Sequence, residues 1–283
     1  MKVKFWGCRG SIPVPDNRMI KYGGNTTCVE VKFGDKVLII DAGTGIRKLG
    51  EDLIRRKILN FDIFITHTHW DHIQGFPFFA PIYGKETNIN ILGCSNSYRR
   101  LKDIFANQMS YEHFPVRFSD LESRINFKEI CGETYETEKY AVKFIRTNHP
   151  IPTLGLRIEE NGKSFVFITD NELNSEKVTT PRDKFIEFCR NATLLCHDAQ
   201  FTENEYKKRK GWGHSVFEDV MELARDSEAE NLLFFHHDPD RKDDELDKIE
   251  KKFKNLRKAN GYKFKVSVVR ETGEFELKSN GGR

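Results

Sequence analysis

The chain has almost no net charge. Its 46 Lys and Arg offset 43 Asp and Glu, leaving +3 across 283 residues with histidine neutral, which excludes a polyelectrolyte and argues against the broad basic face of a protein that wraps nucleic acid. No apolar run approaches the ~20 residues that a membrane helix needs. No apolar stretch near Met1 precedes a small-residue cleavage site, and none of the six cysteines forms a CxxC pair. A soluble, cytoplasmic protein with reduced core cysteines is therefore expected. Linkers rich in Pro, Gly or Ser, low-complexity tracts and internal periods are also lacking, so residues 1–283 are expected to form one domain.

What is present can build a large core: 38% of residues are hydrophobic and 23 are Phe. Short β-rich runs at Val3–Trp6, Cys28–Phe33 and Lys36–Asp41 open the chain, the last two joined at Gly34-Asp35. Ile46, Leu49, Leu53 and Ile54 recur at helical spacing and predict a helix over Ile46–Arg56. Strands and helices then alternate, with helices near Ser97–Asn107, Lys184–Arg190, Val216–Arg225 and Asp243–Leu256. That order suits an α/β fold in which two sheets pack together and helices cover both outer faces, a four-layer αββα sandwich.

The decisive stretch is Thr66-His67-Thr68-His69-Trp70-Asp71-His72, directly after the apolar run Ile63-Phe64-Ile65. Alternation at a strand end sends His67 and His69 to one side, and the following turn can bring Asp71 and His72 to a second point one metal–metal spacing away, ~3.5–4 Å. Imidazole and carboxylate without thiolate suit Zn, Mn or Fe and argue against a closed structural zinc site. Two divalent ions, zinc first among them, are expected.

His-x-His-x-Asp-His is the signature of the metallo-β-lactamase superfamily, which the chain resembles over nearly its whole length. The resemblance implies further ligands at later strand exits, and His149, Asp170 and His237 stand after Arg146, Ile168 and Phe235. By that resemblance His67, His69 and His149 hold one metal, Asp71, His72 and His237 the other, and Asp170 bridges. His236 and Asp41 are expected to support the ligands from behind. Two divalent cations against Asp71, Asp170 and a bridging hydroxide leave a net positive site, which favours an anionic substrate and makes that hydroxide the expected nucleophile.

Leu194-Leu195-Cys196-His197-Asp198 and Gly211-Trp212-Gly213-His214-Ser215 resemble paired motifs of the branch that holds ribonuclease Z and cyclic phosphodiesterases. The resemblance makes His214 the general acid, with Asp198 holding its imidazole and Asp71 completing the catalytic set; the alternative is that His214 caps the helix that follows. Arg9 and Asn25, in Gly-rich segments, are either substrate contacts or turn residues. Lys207-Lys208-Arg209-Lys210 either attracts phosphate or is a solvated surface. The segment Met109–Val116, with His113 as a possible substrate contact, is either a lid or a packed connector.

No long Gly/Pro-rich basic arm of the kind by which ribonuclease Z grips transfer RNA is present. The expected activity is thus hydrolysis of a small, nucleotide-like or cyclic phosphodiester. A lactonase or β-lactamase-like hydrolase and a ribonuclease Z-like endonuclease are the alternatives. The expected partner is a small anionic substrate, without a membrane or an extended nucleic-acid surface, and a homodimer is compatible with the sequence.

Overall fold

Fourteen strands fall into two seven-stranded sheets among the residues that the computed structural model describes, 1–94, 100–130 and 134–278. The first sheet contains β1 (Lys2–Gly7), β2 (Cys28–Phe33), β3 (Lys36–Ile40), β4 (Asn60–Ile65), β5 (Asn88–Gly93) and β6 (Arg124–Glu129) side by side in chain order. The second contains β7 (Thr134–Glu136), β8 (Ala141–Arg146), β9 (Leu154–Glu160), β10 (Lys163–Ile168), β11 (Leu194–Asp198), β12 (Asn231–Phe235) and β13 (Lys265–Val268), also in chain order. The last strand, β14 (Glu274–Glu276), returns to pair antiparallel with β1.

Each sheet changes character part-way across. Strands β1 to β3 and β7 to β10 pair antiparallel, whereas β3 to β6 and β10 to β13 run parallel. Parallel neighbours need crossovers, and these supply the helices α1 (Ile46–Arg55), α2 (Trp70–Ile73), α3 (Leu101–Gln108), α4 (Arg182–Cys189), α5 (Glu203–Tyr206), α6 (Phe217–Asp226) and α7 (Asp243–Ala259).

Side-chain alternation explains the layering. In β10, Phe165 and Phe167 enter the core shared by the two sheets with Phe5, Val31, Phe64 and Leu156, while Val166 and Ile168 face the other way. There they meet Phe185 of α4, Val220 of α6 and Phe253 of α7. On the far side, Ile39, Ile63 and Ile91 pack with Leu49 and Leu53 of α1 and Phe105 of α3. Three apolar layers between four structural layers make the expected αββα sandwich, which the element order accommodates without establishing, and they explain why the central strands read as continuous apolar runs.

Most predicted elements recur within a few residues. The helix predicted over Ser97–Asn107 is observed as Leu101–Gln108, residues 95–99 lying outside those described. Three short elements, α2, β7 and α5, are too brief to leave a periodic signal. Cys8, Cys28, Cys189 and Cys196 are buried free thiols, as expected. Cys94 is disulfide-bonded, which corrects the expectation for that residue, and Cys131 lies outside the described residues. No helix among the described residues is long and apolar enough to cross a membrane.

Candidate metal centre and general-acid pair

Parallel strands end at one edge of each sheet, and the site occupies the loops at those carboxyl ends. Asp41 follows β3, His67 to His72 follow β4, Asp170 follows β10 and His236 follows β12. Asp41, Asp170 and His236 have φ of 63°, 51° and 60°. This left-handed conformation is uncommon outside glycine and enriched in Asp and His. Each turns the chain abruptly at its strand exit, at a cost the surrounding contacts must hold in place.

Six of the nine histidines converge here. His67, His69, His149 and Asp170 place one ligand atom each within 4.8 Å of the others, and Asp71, His72 and His236 do the same. Asp170 lies between the groups. Its Oδ1 is 3.7 Å from His67 Nε2 and 3.8 Å from His149 Nε2, and its Oδ2 is 3.1 Å from His72 Nε2 and 3.4 Å from His236 Nε2.

Neighbouring groups orient these rings. Asp41, fully buried, accepts from Thr66 N at 2.8 Å and from His72 Nδ1 at 2.7 Å, so His72 turns Nε2 into the site. His149 Nδ1 donates to the Gly213 carbonyl at 3.2 Å, and its Nε2 meets His69 Nδ1 at 3.1 Å. Ser11 N donates to Asp71 Oδ2 at 2.7 Å. Two glycines permit close approach: a Cβ on Gly10 would lie 2.6 Å from the His236 ring, and one on Gly213 2.1 Å from His149 Nδ1. Gly213 also has φ of 88°.

Burial pushes the His67 and His69 pKa values down and that of His149 to about 4, leaving neutral imidazoles with lone pairs. In the other group burial acts the same way but carboxylates outweigh it. Asp71, Asp170 and Asp41 hold His72 well above its usual value, and Asp170 and Asp71 raise His236 to about 9. Burial would raise Asp71 and Asp170, yet the neighbouring His72 and His236 hold both well below the carboxylate range. The buried Nε2 of His67 has no hydrogen-bond partner, and that of His72 faces the Asp170 and Asp71 carboxylates. Imidazole nitrogens around a shared carboxylate, one of them orphaned, fit metal ions.

Beside this cluster His214 Nδ1 donates to Asp198 Oδ2 at 2.6 Å. Asp198 is fully buried at the end of β11, and the His214 ring stacks on His236 with centroids 5.0 Å apart. His214 precedes α6, whose N-cap is Val216, so it does not cap that helix.

Several expectations change. The second group contains His236 and not His237. His237 Nε2 is 2.8 Å from the Val269 carbonyl, burial lowers its pKa to about 3, and its ring stands edge-on to Tyr22. Arg9 is not placed to meet substrate: it is fully buried, and its guanidinium donates to the carbonyls of Gly23, Asp238 and Arg241. Asn25 donates to the Glu271 carboxylate at 3.1 Å, lining a groove with Ile12, Val14 and Lys48. His113 is exposed and in neither ligand group, while its neighbour Phe114 packs on Phe78, as a connector would.

Sequence reasoning missed Glu172. Only 2% exposed, it accepts from Tyr206 OH at 2.6 Å, Gly211 N at 2.9 Å and Gly213 N at 3.1 Å. Nothing in Asn171-Glu172-Leu173 separates it from a surface acid.

A family model described as a beta-lactamase superfamily domain matches residues 36–237. Ribonuclease Z of Thermoplasma acidophilum is 25% identical over an alignment covering 84% of this chain and 87% of that protein. Among solved structures, the metallo-beta-lactamase fold protein YhfI from Bacillus subtilis aligns with TM-score 0.71 and 18% identity over 98% of this chain and 99% of its own. The short form of human tRNase Z aligns with TM-score 0.66 and 19% identity over 99% and 100%. The ribonuclease Z similarity overturns the expectation that no extended nucleic-acid surface is present; near-zero net charge does not exclude RNA as a substrate. The chain belongs to the beta-lactamase superfamily and is a metal-dependent hydrolase.

Proposed function

Taking that membership as premise, we propose that the protein hydrolyses phosphodiesters of nucleotides. Two divalent ions, zinc first among them, would be held by His67, His69 and His149 on one side and by Asp71, His72 and His236 on the other, with Asp170 shared. When bound, such ions polarise a phosphoryl oxygen and lower the pKa of water toward ~7. The chain's own residues do the rest. Asp41 fixes the His72 ring, Ser11 N fixes the Asp71 carboxylate, and His214 holds at Nε2 the proton that passes to the leaving oxygen. Asp198, accepting from His214 Nδ1, orients the ring and favours the doubly protonated imidazolium that carries this proton at Nε2.

The observation that carries the reading is the His214–Asp198 pair, 2.6 Å apart and stacked against His236. A phosphodiester has a poor leaving oxygen that gains from a proton donor beside the metals. Small cyclic diesters and RNA share this chemistry, and the ribonuclease Z similarity favours RNA.

The test offers metal-loaded protein bis-p-nitrophenyl phosphate, a lactone and a chromogenic β-lactam. Hydrolysis of the diester is expected; activity confined to the lactone and the β-lactam refutes the proposal. A second panel of cyclic nucleotides and 3′-extended RNA then separates the two diester classes.

A further inference from the structure

Two of the three tryptophans stand in solvent beside the site. Trp70 is 64% exposed and Trp212 59% exposed, whereas Trp6 is buried. Trp70 lies between His69 and Asp71. Trp212 precedes Gly213, whose carbonyl meets His149 Nδ1 while His69 meets His149 Nε2. The segments that carry the two indoles thus approach opposite edges of one imidazole.

The position of Trp212 is built. The peptides on both sides of it are fastened to one buried carboxylate, since Glu172 accepts from both Gly211 N and Gly213 N. Trp212 N donates to the Arg209 carbonyl at 3.2 Å. The Arg209 guanidinium lies 5.8 Å from the Trp212 ring centroid and 4.9 Å from that of Phe201, and is held by Asp238 Oδ2 at 2.8 Å. Phe201 in turn stands edge-on to His214 at 5.7 Å. A stack running from His214 through Phe201 and Arg209 therefore ends in an indole that is anchored yet open to solvent. Lys207, Lys208 and Lys210 beside it are exposed.

We infer that Trp212, with Trp70 on the other side of His149, forms a subsite that stacks a nucleobase adjoining the scissile phosphate. An aromatic platform accepts any base because every base has a π face, and the neighbouring lysines attract the backbone phosphates. Such a platform suits an unpaired nucleotide, whose base is free to stack. The inference deepens the phosphodiesterase reading and rests on it.

The test uses two diesters with the same leaving group, thymidine 5′-(p-nitrophenyl phosphate) and methyl p-nitrophenyl phosphate, on metal-loaded wild type, Trp212→Ala and Trp212→Phe. Metal content and melting temperature are checked for each protein. The expected result is that Trp212→Ala lowers the nucleoside-to-methyl ratio of kcat/KM by roughly 10- to 100-fold, mainly through KM, and that Trp212→Phe restores most of it. An unchanged ratio overturns the subsite while leaving the hydrolytic reading intact. If wild type hydrolyses neither ester, the hydrolytic reading fails, and fluorescence decides the subsite. In Trp70→Phe, adenosine 5′-monophosphate should quench the emission of Trp212; no quenching overturns the subsite.

Discussion

The two ligand groups differ in charge and in access. His67, His69 and His149 are imidazoles kept neutral by burial; the His149 ring is buried, and the group opens toward solvent at half-buried His69. Asp71, His72 and His236 are all buried, and there carboxylates outweigh the burial that would otherwise discharge the rings. The open group contains no carboxylate besides the shared Asp170, with Asp71 acting on His69 from the neighbouring group. The closed group adds Asp71 and is braced from behind by Asp41. A divalent ion replaces protons more favourably where carboxylates already surround it, so the closed group should hold the tighter ion and the open group should face substrate.

Removing the shared residue should break both groups together. Asp170→Ala is expected to reduce metal content from about two ions per chain to less than one and to abolish turnover. Elemental analysis showing one ion fully retained would mean that the groups are independent. His214→Ala should lower turnover by roughly 10²–10⁴ with both ions still present, separating proton delivery from metal binding; unchanged turnover on a substrate with a poor leaving group would remove His214 from the reaction.

The adjacent histidines provide a sharper contrast. His236→Ala should cost one ion, whereas His237→Ala should keep both and destabilise the fold by about 1–3 kcal/mol through the unpaired Val269 carbonyl. Metal analysis with thermal denaturation distinguishes them, and loss of an ion in His237→Ala would restore the ligand order expected from the sequence. The smallest effect belongs to Asp41→Asn. It should weaken one ion by about 10- to 100-fold and spare the other, and an isothermal titration in which both sites weaken equally would contradict the division into two groups.

The legible part of the site is the part that is contiguous in the chain. His67, His69, Asp71 and His72 reveal themselves by spacing after an apolar strand, and the alternating strands and helices are compatible with the observed layers without fixing them. The His236 and His237 choice does not follow from family pattern or strand parity, because His236 turns to φ of 60° directly after β12 and breaks the alternation. Arg9 has the residue type of a substrate contact, and only tertiary burial reveals it as a strap between loops that are more than 200 residues apart. Glu172 is silent for the same reason: its partners lie 34 to 41 residues ahead, across a loop contact with no local pattern.

The central claim, that two groups sharing Asp170 make one hydrolytic centre, is tested most directly by restoring zinc to metal-stripped protein. Phosphodiesterase activity is followed against equivalents of zinc bound. The account predicts that activity stays low while the closed group fills and rises with the second equivalent. Full activity in the stripped protein, or at the first equivalent alone, would contradict it.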